Sequence, residues 1–298
     1  MEQLGFEGMP RRLYPCTPSR LNTWLDCPRR YRMTYLDRPQ PSRSSRWAHN
    51  SLGASVHNAL AGYWRLPVAE RTPQAAGALL VRGWLTDGFR DAGQSREWRE
   101  RARVMVEEYA AGLDPEREPA GVERTVSTKT GSIRFSGRID RLDHRGDALA
   151  VVDYKTGRRS PTADDARDSL ALALYAVAAS RMLRRPCRTV ELHHLPSRTV
   201  AVWEHTEESQ AGWLSRAERI AAECADADES YKDGPAPRRV DGLVAHDPYD
   251  EVFPPRTGPL CGWCDFSRHC PEGRAAAEPK EPWAALEGER AEAPVRPE

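Results

Sequence analysis

The chain has 298 residues, with 44 lysines and arginines against 44 aspartates and glutamates, so its formal charge is zero. That length accommodates one large domain or two modest ones with ample apolar material for a core. Neutrality argues against a uniformly basic nucleic-acid binder, yet nine arginines between Arg11 and Arg46 leave a local basic groove open. The longest apolar run, Leu170 to Ala179, has ten residues, too few to span a bilayer. The N-terminus lacks the apolar segment of a signal peptide, so a cytoplasmic protein is expected. Seven cysteines there read as thiols or metal ligands rather than disulfides.

In chain order, Thr17-Pro18 predicts a helix start with Thr17 as N-cap, and Leu21, Trp24 and Leu25 share one helical face. Pro28 predicts a bend or restart at Cys27. Leu52, Val56, Leu60 and Tyr63 form an apolar stripe over a helix from 51 to 64, and further helices are expected over 74–90 and 97–112. Strand character follows over 122–127, 132–142, 148–154 and 190–195, with a turn at His144-Arg145-Gly146-Asp147. Helix returns over 164–183 and 207–227. The stretch 231–259 reads as a loop or insertion, and 275–298 as disordered because it offers little to bury. The expected division is an N-terminal helical region over 1–114, a core over 115–230, a loop and cysteine segment over 231–274, and a tail over 275–298. Helices, then strands, then helices imply an α/β core with an N-terminal helical addition.

The chemistry concentrates on two strands, in Gly137-Arg138-Ile139-Asp140 and Val151-Val152-Asp153-Tyr154-Lys155-Thr156-Gly157. Strand alternation puts Asp153 and Lys155 on one face and turns Tyr154 away. Asp140 and Asp153 suit Mg²⁺, which needs only one or two carboxylates beside water and substrate oxygens. Lys155 would then orient the attacking water or stabilise developing negative charge. An isolated Asp-x-Lys is more often a surface ion pair. Gly53 and His57 share a helix face away from the apolar stripe, where His57 would ligate a metal or be a satisfied, partly buried histidine.

Near the C-terminus, Cys261, Cys264 and Cys270 give a C-x₂-C-x₅-C spacing, with Cys27 far away in sequence. These four thiolates suit an iron–sulfur cluster or a structural zinc, and His269 would complete a local Cys₃His zinc site without Cys27. Cys16, Cys187 and Cys224 read as ordinary thiols.

Taken in order, Ser19-Arg20-Leu21, Trp24 to Tyr31, Gly53 to His57, Gly137 to Asp140, Val152 to Gly157, Leu174-Tyr175-Ala176 and Cys261 to Cys270 resemble the RecB-family exonucleases. These form a branch of the PD-(D/E)XK nuclease superfamily with an AddB-type iron–sulfur clamp. The resemblance, over about residues 13 to 272, implies a restriction-endonuclease-like core, a mixed sheet flanked by helices. It implies His57, Asp140 and Asp153 as ligands of Mg²⁺ or Mn²⁺, Lys155 as the catalytic lysine, and Cys27, Cys261, Cys264 and Cys270 as ligands of a 4Fe–4S cluster. Tyr175 is implied as a nucleic-acid contact or support of the active site, and Arg29, Arg30, Arg32, Trp24 and Tyr31 are further candidates for contact. The implied activity is exonucleolytic hydrolysis of DNA, probed at single-stranded or free ends, in repair or recombination, with a helicase as a candidate partner. The family's glutamine four residues before the tyrosine is Ala171 here, which cannot hydrogen-bond through its side chain. That departure supports an alternative, a weak or inactive cluster-bearing DNA-binding or adaptor subunit.

Overall fold

A computed structural model describes residues 13–44, 46–234, 238–240, 243–246 and 248–287, of which 233, 238–240 and 243–246 are described by their backbone alone. Strand β1 (Tyr14–Cys16) precedes helix α1 (Pro18–Asp26), where the Thr17 hydroxyl caps the Arg20 amide at 3.2 Å. Cys27 is extended, as a residue before proline should be, and α2 (Pro28–Tyr35) restarts immediately after it. Then come α3 (Ala48–Trp64), α4 (Pro73–Arg82) and α5 (Ala92–Ala111). Strands β2 (Gly121–Lys129), β3 (Ile133–Arg145) and β4 (Ala148–Lys155) follow. Helices α6 (Ala163–Arg167) and α7 (Leu170–Leu183) lead to β5 (Cys187–His194), β6 (Thr199–Glu204) and the long α8 (Glu207–Asp233). A short hairpin, β7 (Arg238–Val240) with β8 (Leu243–His246), and α9 (Pro271–Ala276) complete the order.

The sheet is mixed. It runs β1-β3-β4-β5-β6, with β2 also on β3. One edge of β3 carries β2, whereas the other carries β1 at residues 133–135 and β4 at residues 141–145. Ile139 and Asp140 therefore lie where β4 has parted from β3, beyond the Arg141–Val152 pair. This fork positions the site. Helices α1, α7 and α8 pack on one side of the sheet over Phe135, Ile139 and Val151, and α3, α4 and α5 pack on the other over Val152 and Tyr154.

Several expectations are corrected. The helix expected to reach residue 90 ends at Arg82 with Gly83 as its C-cap, and further on Gly88 has a positive φ and passes hard against the Arg46 carbonyl, where no side chain fits. The helix expected over 164–183 breaks after Arg167, and the Ser169 hydroxyl accepts from the Leu172 amide to cap a fresh start at Leu170. Strands β1 and β6 were not foreseen: β1 has three residues, and β6 turns Val200 and Val202 outward while burying only Ala201. The stretch expected to be a loop from 231 begins inside α8 and holds β7 and β8; part of it lies outside the described residues. Within the expected disordered tail, residues 275–287 are ordered: Lys280 bonds the Gly262 carbonyl at 2.8 Å, Pro282 accepts from Ala48 at 3.0 Å, and Leu286 is buried against the α3 cluster. Residues 288–298 lie outside the described residues. Among those described, no helix is long and apolar enough to cross a membrane.

Candidate active site and thiol cavity

The fork of the sheet gathers the charged residues. On β3, Asp140 has one carboxylate oxygen accepting the Tyr154 amide at 3.0 Å, so a side chain replaces the missing strand pairing. Its other oxygen lies 3.3 Å from His57 Nδ1, and His57 Nε2 lies 3.2 Å from the Tyr154 carbonyl. His57 stands on α3, rotated from the buried Leu52, Val56 and Leu60 as the sequence predicts. Asp153 and Lys155 are in direct ionic contact beyond the fork, while Tyr154 turns back into the core and its hydroxyl accepts from Arg141 at 3.1 Å. Asp140, Asp153, Lys155 and His57 are thus brought together.

One site residue escaped the sequence reading. Glu123 faces Asp140 across the β2–β3 pair, between the Val122–Arg141 and Arg124–Ile139 partners, and has a positive φ of 48°. Ligand atoms of His57, Glu123 and Asp140 all lie within 4.8 Å of one another, a set able to hold a metal ion. A lone glutamate in a strand carries no spacing signal. Its register opposite Asp140 was the clue, and register is invisible without the pairing. Glu123 also pairs with Arg138 at 2.9 Å.

Electrostatics mark this corner as short of positive charge. Burial pushes the Asp153 carboxyl up from its usual range, Lys155 opposes that shift, and neighbouring Asp140 reinforces it. Burial disfavours charging His57, but its bond to Asp140 and the charges of Asp140 and Asp153 outweigh this and raise its pKa. A divalent cation would relieve the crowded carboxylates.

His57, Glu123, Asp140 and Lys155 open into a cleft of about 1040 Å³ lined also by Tyr175, Trp98, Trp263, His49, Arg138 and Arg158. Tyr175 of α7 packs directly against the backbone at Gly137, where a β-carbon would collide with its ring. Burial first, then Asp153 and Asp140, push its hydroxyl up to about 12, so it stays protonated. Gly137→Ala is expected to displace the ring and destabilise the fold by about 1–3 kcal/mol, as chemical denaturation would measure, whereas Ala at Gly131, with open space around it, meets no such contact. Gly53 behaves differently: a β-carbon there would make only ordinary contact with Thr156, so its bare backbone widens the cleft rather than relieving a clash.

Cys27, Cys261, Cys264 and Cys270 line a second, separate cavity of about 60 Å³. The Arg256 amide lies 3.5 Å from Cys27 Sγ and the Gly273 amide 3.3 Å from Cys270 Sγ. The other three cysteines are buried, and burial pushes Cys187 and Cys224 up to about 12, which suits inert thiols. His269 does not join the cavity; its Nε2 is engaged by Ser42, 3.0 Å from the carbonyl.

Arg29 and Arg30, expected to contact nucleic acid, line this thiol cavity instead. The Arg29 guanidinium is buried between Asp250 at 2.5 Å and Glu272 at 2.6 Å, with Cys270 Sγ at 3.9 Å; Arg30 pairs with Asp26 at 3.6 Å. Arg32, Trp24 and Tyr31 are also core residues, and Tyr31 bonds Asp228 at 2.8 Å. Their spacing reflects an inward face, which charge alone disguised.

A family model described as the PD-(D/E)XK nuclease superfamily matches residues 15–271. A solved structure from Eubacterium rectale, of a protein provisionally termed an exonuclease, resembles the chain with a TM-score of 0.43 at 10% identity, covering 78% of this chain and 88% of that one. No curated protein matches the chain.

Proposed function

The chain belongs to the PD-(D/E)XK nuclease superfamily, and on that premise we propose that it is a metal-dependent exonuclease hydrolysing phosphodiester bonds at DNA ends, in repair or recombination. The observation that carries this reading is the meeting of His57, Glu123 and Asp140 donor atoms within 4.8 Å, beside the contacting Asp153 and Lys155. Oxygen donors with one imidazole suit Mg²⁺ or Mn²⁺. Such an ion, when bound, polarises the scissile phosphate and acidifies a water.

The chain's own groups do the rest. Asp140 and Asp153 hold negative charge at the fork, and Glu123 and His57 complete the donor set. The Lys155 ammonium faces the cleft, 47% exposed, where it can orient the incoming water and stabilise charge on the phosphoryl oxygens. Arg138 and Arg158 on the cleft wall favour a phosphate backbone, and the aromatic lining favours unpaired bases.

Cys27, Cys261, Cys264 and Cys270 are assigned to a 4Fe–4S cluster. Two backbone amides and a buried guanidinium directed at the sulfurs support an anionic thiolate-ligated cluster. The engagement of His269 with Ser42 weighs against a Cys₃His zinc site.

A second reading, a DNA-binding adaptor with the same fold, rests on Ala171, which contributes no polar group to α7. One assay separates the two. Incubated with linear and circular DNA, single- and double-stranded, the protein should release short products from free ends with Mg²⁺ or Mn²⁺ and none with EDTA. Binding without cleavage on every substrate would favour the adaptor and remove the enzyme.

A further inference from the structure

The loop that carries the cysteines shows its two sides to two different cavities. Cys261 and Cys264 line the thiol cavity, but Trp263 between them lines the cleft that holds His57, Asp140 and Lys155. Its ring is half-buried and braced from behind. Trp47 packs at 5.3 Å between centroids, and His49 meets it edge-on at 5.9 Å with an interplanar angle of 82°. Trp47 is itself fixed, since its indole N–H donates to Asp265 at 2.8 Å and the Ser44 amide donates to the Asp265 carbonyl at 2.8 Å.

The far side of the loop is held as firmly. A β-carbon at Gly262 would sit 2.7 Å from the Glu278 carbonyl, so glycine lets residues 277–280 lie directly against the loop. Burial keeps His49 below its ordinary pKa, so it adds no charge beside the indole. An indole on the wall of the cleft that holds the charged site, backed by Trp47, has the features of a stacking platform for an unpaired base.

We propose that Trp263 is a nucleobase-binding residue, stacking on one base of a single-stranded DNA end as its backbone enters the cleft. The proposal rests on the nuclease reading above, and the rigid cysteine loop is what aims the ring. Stacking on an aromatic face tolerates every base, so the contact would grip any sequence while Lys155 and the carboxylates act on the phosphate.

The test uses full-length protein carrying Asp153→Ala, so that DNA stays intact. Affinity is measured by fluorescence anisotropy for a labelled oligothymidylate and for versions with one abasic residue stepped through successive positions. Trp263→Leu keeps apolar bulk against Trp47 without a π-face, and Trp263→Phe keeps the face. The Leu form should bind about 5- to 100-fold more weakly, and the Phe form should stay close to the parent. An abasic residue at one position should weaken the parent by a comparable factor yet cost the Leu form nothing further. Equal affinities of the Leu and Phe forms, or an abasic penalty that persists undiminished in the Leu form, would overturn the proposal. Unsubstituted protein that neither cleaves nor binds any DNA would instead remove the nuclease reading itself. Iron content and the visible spectrum of each variant report whether the loop is still built.

Discussion

Lys155→Ala is expected to slow Mg²⁺-dependent phosphodiester hydrolysis by about 10²–10³-fold, with Asp153→Ala at least as impaired and secondary structure unchanged by circular dichroism. Lys155 is 47% exposed, so little packing is lost with it. What disappears is the positive charge beside Asp153. Without that ammonium the Asp153 carboxyl, already pushed up by burial and Asp140, loses the influence that holds it down. It then becomes a poorer donor for a divalent cation, so the metal concentration at half-maximal rate should also rise. Lys155→Arg keeps the charge but replaces a compact ammonium with a planar fork, and it should restore only part of the rate. Digestion of linear DNA at the parental rate by both alanine variants would exclude hydrolysis at the fork of the sheet.

Cys27→Ser should remove the visible absorption and bound iron of anaerobically purified protein and lower its melting temperature by about 10 °C. The reason is topological. Cys27 lies between α1 and α2, and its partners follow after residue 260, so a shared cluster closes a loop of more than two hundred residues. Closing such a loop is worth at most roughly 5 kcal/mol in the entropic picture. Contacts already made across it, such as Arg256 with the Leu25 carbonyl and Arg29 with Glu272, hold part of that closure in the variant. Full retention of iron in the serine form, or zinc in its place, would contradict the cluster assignment.

The parts of this molecule legible in the sequence were those governed by local rules. The Thr17 cap, the restart at Pro28, the Gly146 turn and the alternation that separates Asp153 and Lys155 from Tyr154 depend on neighbours within a few residues. The site's dependence on pairing was not legible. Glu123 acquires its place from the β2–β3 register and a positive φ, neither of which a lone glutamate announces. The arginines near Cys27 misled for a related reason. A charged residue on a short helix reads as solvated, yet Arg29 and Arg32 are buried, and Arg29 finds carboxylates more than two hundred residues away. The segment after residue 275 misled in the opposite sense, because Leu286 and Trp283, with the Pro282 carbonyl, suffice to seat it on α3 among many Ala, Glu and Pro residues.

That seat matters for how the protein is made. Arg158, just past Lys155, bonds the Glu287 carbonyl, and Leu286 and Trp263 line the same cleft. Synthesis from the N-terminus delivers Asp140, Asp153 and Lys155 more than a hundred residues before these wall residues. A prematurely terminated translation product would therefore carry the acidic strands but lack the surface against which a strand of DNA could lie. On the proposed reading, a strand of DNA would find its full binding surface only once residues 277–287 have folded back.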